Sequence, residues 1–510
     1  MTDSKQLFQL EEPNLIFDFA QKMEHPKDGL MLYGPYENHL SGGKLRIGLI
    51  STLSGATRYK RWVTQISKPI KPAKENDPNH TIFPGFQAVF GTEWPNTPTV
   101  GLQIDATALN RAIHMEDRYQ AIHKAVSFYA DEITKYLRNK SEISIDLWIA
   151  VIPEDVYRLG RPNSKVSKAE RQESDFIMNK KIATRLLREP SLFAEDNVAS
   201  EIYNYDLNFH NQLKARLLQH KVVIQVIRET TLTPEDFEKA NGMPLRLLQD
   251  KATLAWNLTT TAFFKAGGQP WKLGTSRPGV CYVGVVFKKD TASADPGNAC
   301  CGAQMFLDSG DGIVFRGAVG PWYSTNNKQF HLSKEKAKEL MAMIIHAYRE
   351  SHNGVDPQEL FVHGKTYFSK EEWEGFVEAA PSTCNVVCVR IKEDFSLKLF
   401  RRGMMNIPRG MAWEISPTKG YVWTKGFIPR LQTYPGREVP NPLTVEVVHG
   451  QANIRTVMSD VFSLTKLNYN TCIYSDGVPV TLKFADMIGE ILTAGPIQND
   501  LPPLPFRYYI

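Results

Sequence analysis

Four residues in the middle of the sequence are of the types that hold a phosphate. His210 and Lys214 lie four apart in NFHNQLKARLLQH, so on a helix they rise from one face, one turn apart. Gln225 stands inside the apolar run VVIQVI, where a neutral amide is out of place unless it has something to bond. Lys265 ends a helical stretch just before Gly267-Gly268. Ammonium, imidazole and amide groups arriving from different elements would supply the several donors a phosphate needs. A solvated helix face would carry the same His-x₃-Lys pair, and an edge strand the same glutamine. The spacing alone leaves both readings open.

The commoner catalytic patterns are missing: there is no P-loop, no Gly-x-Ser-x-Gly and no His-Glu-x-x-His. Asp308 and Asp311 flank Gly310, a spacing that a hairpin turn explains. Asp460 and Asp476 have no partner that the sequence identifies. A lone His363 at a strand end reads as a structural residue. Cys300-Cys301, without metal-ligand spacing, reads as packing.

The elements that must position these residues fall into two rhythms. In the first half, LRIGLIS (45–51), TVGLQID (99–105), ISIDLWIAVIP (143–153) and Val222–Val226 read as strands. Between them, Glu116–Lys140 carries Ile122, Val126, Tyr129, Ile133 and Leu137 on one helical face. Asp206–His220 and Lys251–Lys265 are also helical, and Pro234–Lys239 opens a helix behind the cap Thr233. Strand and helix in alternation predict a parallel, doubly wound sheet. After Gly268 the pattern changes. VCYVGVVFKK (280–289) and AQMFLD (303–308) predict strand hairpins, with a turn at 310–312. A helix follows at Lys334–Glu350, then ELFVHG (359–364), a helix near Lys370–Ala379 and NVVCVRI (385–391). A meander followed by alternating helices and strands predicts a ribonuclease H-type unit, with the boundary near 268.

The whole composition is consistent with this. The 510 residues allow two to four domains, and 42% hydrophobic against 23% charged residues is a globular balance. The net charge of +5 is mild, so a nucleic-acid surface would be a local groove. Its candidates are Arg158, Arg161, Lys165, Lys168, Lys180-Lys181 and Arg401-Arg402, each of which also fits a solvated face. The 6 cysteines imply no disulfide framework, and the polar start MTDSKQLFQLEEPN has no signal-peptide core. No run is long and apolar enough for a membrane span, so a cytoplasmic protein is expected.

HNQLKARLLQHKVVIQVI (210–227), followed by FFKAGGQPWKL (263–273), resembles the MID domain of Argonaute proteins. In that family a Tyr or His, a Lys one turn on, a Gln on the next strand and a Lys before Gly-Gly hold the 5′-phosphate of the guide. His210, Lys214, Gln225 and Lys265 occupy those positions. GLMLYGPY (29–36), IDLWIAVIP (145–153) and the ending LPPLPFRYYI are similar to the same family, so the resemblance runs over nearly the whole chain. It implies an α/β protein: an N-terminal segment and Rossmann-like MID domain over 1–268, then a ribonuclease H-like PIWI domain over 269–510. It further implies that Gln225 and the terminal carboxylate of Ile510 help bind a divalent cation, Mg²⁺, beside the phosphate. Lys251 is a further candidate contact, although more than three helical turns separate it from Lys265.

An active PIWI domain needs carboxylates to hold two metal ions. The family's first Asp ends the first strand, where Tyr282-Val283-Gly284-Val285-Val286 places Val286. The third follows a later strand, where Val362-His363-Gly364-Lys365-Thr366 places Lys365. The resemblance therefore implies an inactive PIWI domain. With no room for N-terminal and PAZ domains, it implies a short prokaryotic Argonaute. Such chains work with a second chain that joins an APAZ region to an effector. The implied function is recognition of complementary single-stranded invader DNA by a guide RNA, without cleavage. Recognition would activate a heterodimeric partner, a TIR-type NAD-degrading effector above others, in prokaryotic immunity. Three alternatives stay open: a nuclease using displaced carboxylates, pairing with a sirtuin-like or nuclease effector, and a scaffold whose pocket is vestigial.

Overall fold

The computed structural model describes residues 7–40, 43–74, 77–139, 143–289, 299–306, 312–320, 323–324, 329–496 and 502–510. In the first half, four strands form one parallel sheet in the order Val100–Gln103, Ile47–Ser51, Leu147–Ile152, Ile224–Arg228. The two central strands are buried at every position, as continuous apolar runs require of a sheet covered on both faces. The helix Arg118–Asn139 lays Ile122, Val126, Tyr129 and Ile133 against one face. On the other, the helix Leu53–Ile66, capped by Thr52, packs through Tyr59 and Val63.

Two expectations for this half need correction. The last strand runs Ile224–Arg228 rather than from Val222, because Lys221 turns the chain with a φ of 51° first. The helix expected over Pro234–Lys239 is a single 3₁₀ turn, Pro234–Asp236, preceded by the short helix Glu229–Leu232. Thr233 caps nothing there. Arg61 holds Asp236 at 2.7 Å and Glu235 at 3.3 Å, so the acidic first turn is pulled onto a neighbouring helix.

The second half is built on a ten-stranded sheet. At its centre Val280–Lys289, Ala299–Phe306 and Gly312–Gly320 form an antiparallel meander. Glu359–Gly364 adds parallel to the first of these, and Asn385–Glu393 parallel to it in turn. This is ribonuclease H-like topology. Side chains alternate across the sheet. Cys281, Val283 and Val285 pack towards the helices Lys334–Ser351 and Lys370–Ala379. Tyr282 faces the opposite core, with the helices Ile454–Ser463 and Ala485–Leu492. Gly284 shares that second face, where a Cβ would lie 1.9 Å from the Thr481 carbonyl oxygen; only glycine admits the backbone there.

The N-terminal segment, grouped above with the first half, crosses over. Leu7–Gln9 pairs with Met411–Trp413 as an edge strand of the large sheet. Leu15–Ile16 lies between Lys22–Met23 and Lys272–Leu273 in a three-stranded sheet. Glu12 accepts from Arg409 at 3.1 Å and Lys466 at 2.6 Å, both buried. Length and apolar pattern have one further consequence. No described helix is long and apolar enough to cross a membrane.

Candidate phosphate-binding site

The helix Phe209–Leu218 is started by Asn208, whose side chain accepts from the backbone N–H groups of His210 and Asn211. Leu213 and Leu217 anchor it in the core, which fixes where Lys214 points. Lys214 is 1% exposed. Its Nζ donates to the main-chain oxygens of Tyr509 at 2.8 Å and Ile510 at 2.5 Å. Lys265 closes the helix Lys251–Lys265, is 3% exposed, and donates to the Ile224 carbonyl at 3.1 Å. The helix can stop there because Gly267 takes a φ of +109°. Gln225 follows Ile224 on the strand, and its buried Oε1 has no partner among the described residues.

These groups share one electrostatic field. Burial, then Lys214 and Lys265, push the His210 imidazole down to about 3, so it is neutral. Burial and Lys265 hold the Lys214 ammonium well below the ordinary lysine range. Burial alone pushes Lys265 down to about 7. No carboxylate side chain is among the groups that shift them. Lys265, buried against the Ile224 carbonyl with no carboxylate side chain beside it, carries a desolvation cost that an anion would offset, while Lys214 meets the Ile510 oxygen. A phosphate or another small anion would supply that charge.

His210, Lys214 and Lys265 meet in this region, Ile510 joins them through Lys214, and Gln225 follows Ile224, whose carbonyl Lys265 holds. Lys251 does not. It is half-exposed at the far end of its helix, paired with Glu235 at 3.4 Å. Arg507, which the sequence did not single out, stands beside Gly267. Its Nη1 lies 3.3 Å from where a Gly267 Cβ would sit, and its buried Nε has no partner among the described residues. An arginine within the ending PFRYYI was the available signal. For Mg²⁺, the Gln225 Oε1 and the Ile510 oxygen are hard donors of the right kind, with a bound phosphate supplying charge.

The sequence also pointed to a second region, in the ribonuclease H-like half. Val286 is buried at 7% exposure, paired across the sheet with Gly302. Lys365, just past the strand Glu359–Gly364, is half-exposed and pairs with Asp486 at 2.8 Å. His363 is buried, bonds Thr481 Oγ1 through Nδ1 at 3.0 Å, and is held neutral by burial, at about 3. Asp460 is engaged by Arg277 at 2.7 Å, and Asp476 by Lys483 at 2.9 Å. Asp308, Asp311 and the Cys300-Cys301 side chains lie outside the described residues. Among the described residues, no group of three or more His, Cys, Asp or Glu could hold a metal ion.

A parallel Rossmann-like sheet joined to a ribonuclease H-like sheet defines a MID–PIWI architecture. Solved structures with this fold include Clostridium butyricum Argonaute bound to a guide DNA (5′ deoxycytidine) and a 19-mer target DNA, at a TM-score of 0.60 and 15% identity. Drosophila Piwi matches at 0.60 and 12%, and A. aeolicus Argonaute at 0.53 and 14%. The three matches cover 98%, 99% and 98% of this chain but 55%, 56% and 54% of theirs, so the chain spans about half their length. No protein-family model matches the sequence, and no curated protein does. The chain therefore has the Argonaute MID–PIWI fold.

Proposed function

We propose that this chain binds the 5′-phosphorylated end of a nucleic-acid guide and uses the guide to recognise a complementary strand. One observation carries the reading: Lys214 and Lys265 are buried with no carboxylate side chain to balance them, beside Gln225 with an unpartnered oxygen. The fold supports it, since C. butyricum Argonaute carries guide and target DNA on the same architecture. Gln225 and Ile510 would hold Mg²⁺ at the phosphate. Sequence selection would come from base pairing, while the protein reads backbone and duplex shape.

The finer reading is a short Argonaute with an RNA guide and a single-stranded DNA target that it does not cut. Val286 and Lys365, neither able to ligate a metal as a carboxylate does, support the absence of cleavage. Recognition would pass to a second chain with an APAZ region and an effector, a TIR domain above other types. The test uses the chain purified with its genomic neighbour. Bound nucleic acid is extracted, its 5′ ends are labelled with and without phosphatase, and complementary DNA and Mg²⁺ are added to the complex. Short 5′-phosphorylated RNAs with an intact target are expected. Guides that load equally well with a 5′-hydroxyl would overturn the pocket assignment, and a cut target would overturn the non-cleaving one.

A further inference from the structure

The helix Lys180–Arg188 carries Lys181, Arg185 and Arg188 at i, i+4 and i+7, a single stripe on its outward face. All three are exposed, and with Lys180, Thr184 and Glu189 they line a shallow open recess. Among the described residues none of the three has a carboxylate within 4.0 Å. Lys124, Arg171 and Arg216, by contrast, meet Asp175, Glu116 and Asp131 at 2.7, 2.7 and 2.6 Å. The helix is held in place from the opposite side by buried Ala183, and Asn179 caps its start. The stripe therefore shares one helix face and makes no ion pair among the described residues. A 1.5 Å rise per residue spaces the three charges roughly 6 and 4.5 Å apart along the axis. One nucleic-acid strand carries a charge about every 3.4 Å of helix axis, so the stripe spans about three phosphates.

We propose that Lys181, Arg185 and Arg188 form a second, sequence-independent contact for a nucleic-acid backbone, separate from the guide 5′-phosphate pocket. The strand it grips is the guide or its paired target, so the proposal rests on the guide-binding reading. The occupant is a run of phosphodiesters, because three cations on one face match a linear polyanion better than a single anion. Lys180, which sits over the Tyr119 ring at 5.5 Å, is not needed for the contact.

The test compares wild type with the triple variant Lys181→Ala, Arg185→Ala, Arg188→Ala, in the full chain with its neighbour and with unchanged thermal unfolding as a control. Affinity for a labelled 5′-phosphorylated guide paired to its target is measured by anisotropy from 50 to 200 mM salt. About tenfold weaker binding is expected, with the salt slope reduced by about 2 to 3. The preference for 5′-phosphate over 5′-hydroxyl should not change, since the pocket is untouched. Equal affinity and slope in the variant would overturn the stripe and leave the pocket standing. Loss of the co-purifying chain with unchanged nucleic-acid binding would also overturn it, making the stripe a protein contact. A wild type that binds no nucleic acid would overturn both readings.

Discussion

Lys214 and Lys365 occupy the two places where the sequence pointed to chemistry, and their surroundings treat the same ammonium group in opposite ways. Lys214 is buried, receives no carboxylate side chain, and leans on main-chain oxygens. Lys365 is half-exposed and already satisfied by Asp486. An exposed pair of that kind contributes about 0–1 kcal/mol and is screened by salt. A buried ammonium with no carboxylate side chain beside it carries a desolvation cost that a bound anion would offset. The same ammonium group is thus met by main-chain oxygens in one half and by a carboxylate side chain in the other.

The sharpest break of this contrast is the double substitution Lys214→Ala with Gln225→Ala. Guide binding should weaken by about 100-fold, roughly 2.7 kcal/mol, and the preference for a 5′-phosphate should vanish. Retained preference in a titration with phosphorylated and hydroxyl guides would mean that the anion site lies elsewhere. Next in size is a pH effect. Lys265 titrates near 7 in the free pocket because it is buried, so above that pH it must regain a proton to hold a phosphate. Guide affinity should fall as pH rises from 7 to 9, by up to about tenfold per unit, and Lys265→Arg should flatten the profile. A flat wild-type profile would show that Lys265 stays charged. The smallest effect belongs to the other region. Lys365→Ala should lower unfolding free energy by less than about 1 kcal/mol in denaturant melts, with no change in guide loading.

Strands with local apolar signatures were legible in the sequence. Val280–Lys289 and Glu359–Gly364 occur with the expected limits, because buried runs bounded by turns are local information. The helix expected after Thr233 failed because Arg61, over 170 residues earlier, captures Glu235 and Asp236. The residue types of the candidate site were legible, but its lack of carboxylate side chains was not, since that depends on what the fold leaves out. Arg507 was missed for a related reason. Its place beside Gly267 joins two distant segments, and no periodicity marks such a meeting.

The strand Leu7–Gln9 also constrains the order of events during synthesis. Gln9 bonds the Arg409 carbonyl, a partner 400 residues later in the chain. At about 5–20 residues per second, the first segment waits roughly 20 to 80 s for the strand it completes. The parallel sheet of the first half can close in the meantime, while Leu7–Gln9 stays without its sheet. Chaperones would meet that segment as an unpaired edge well before the large sheet exists.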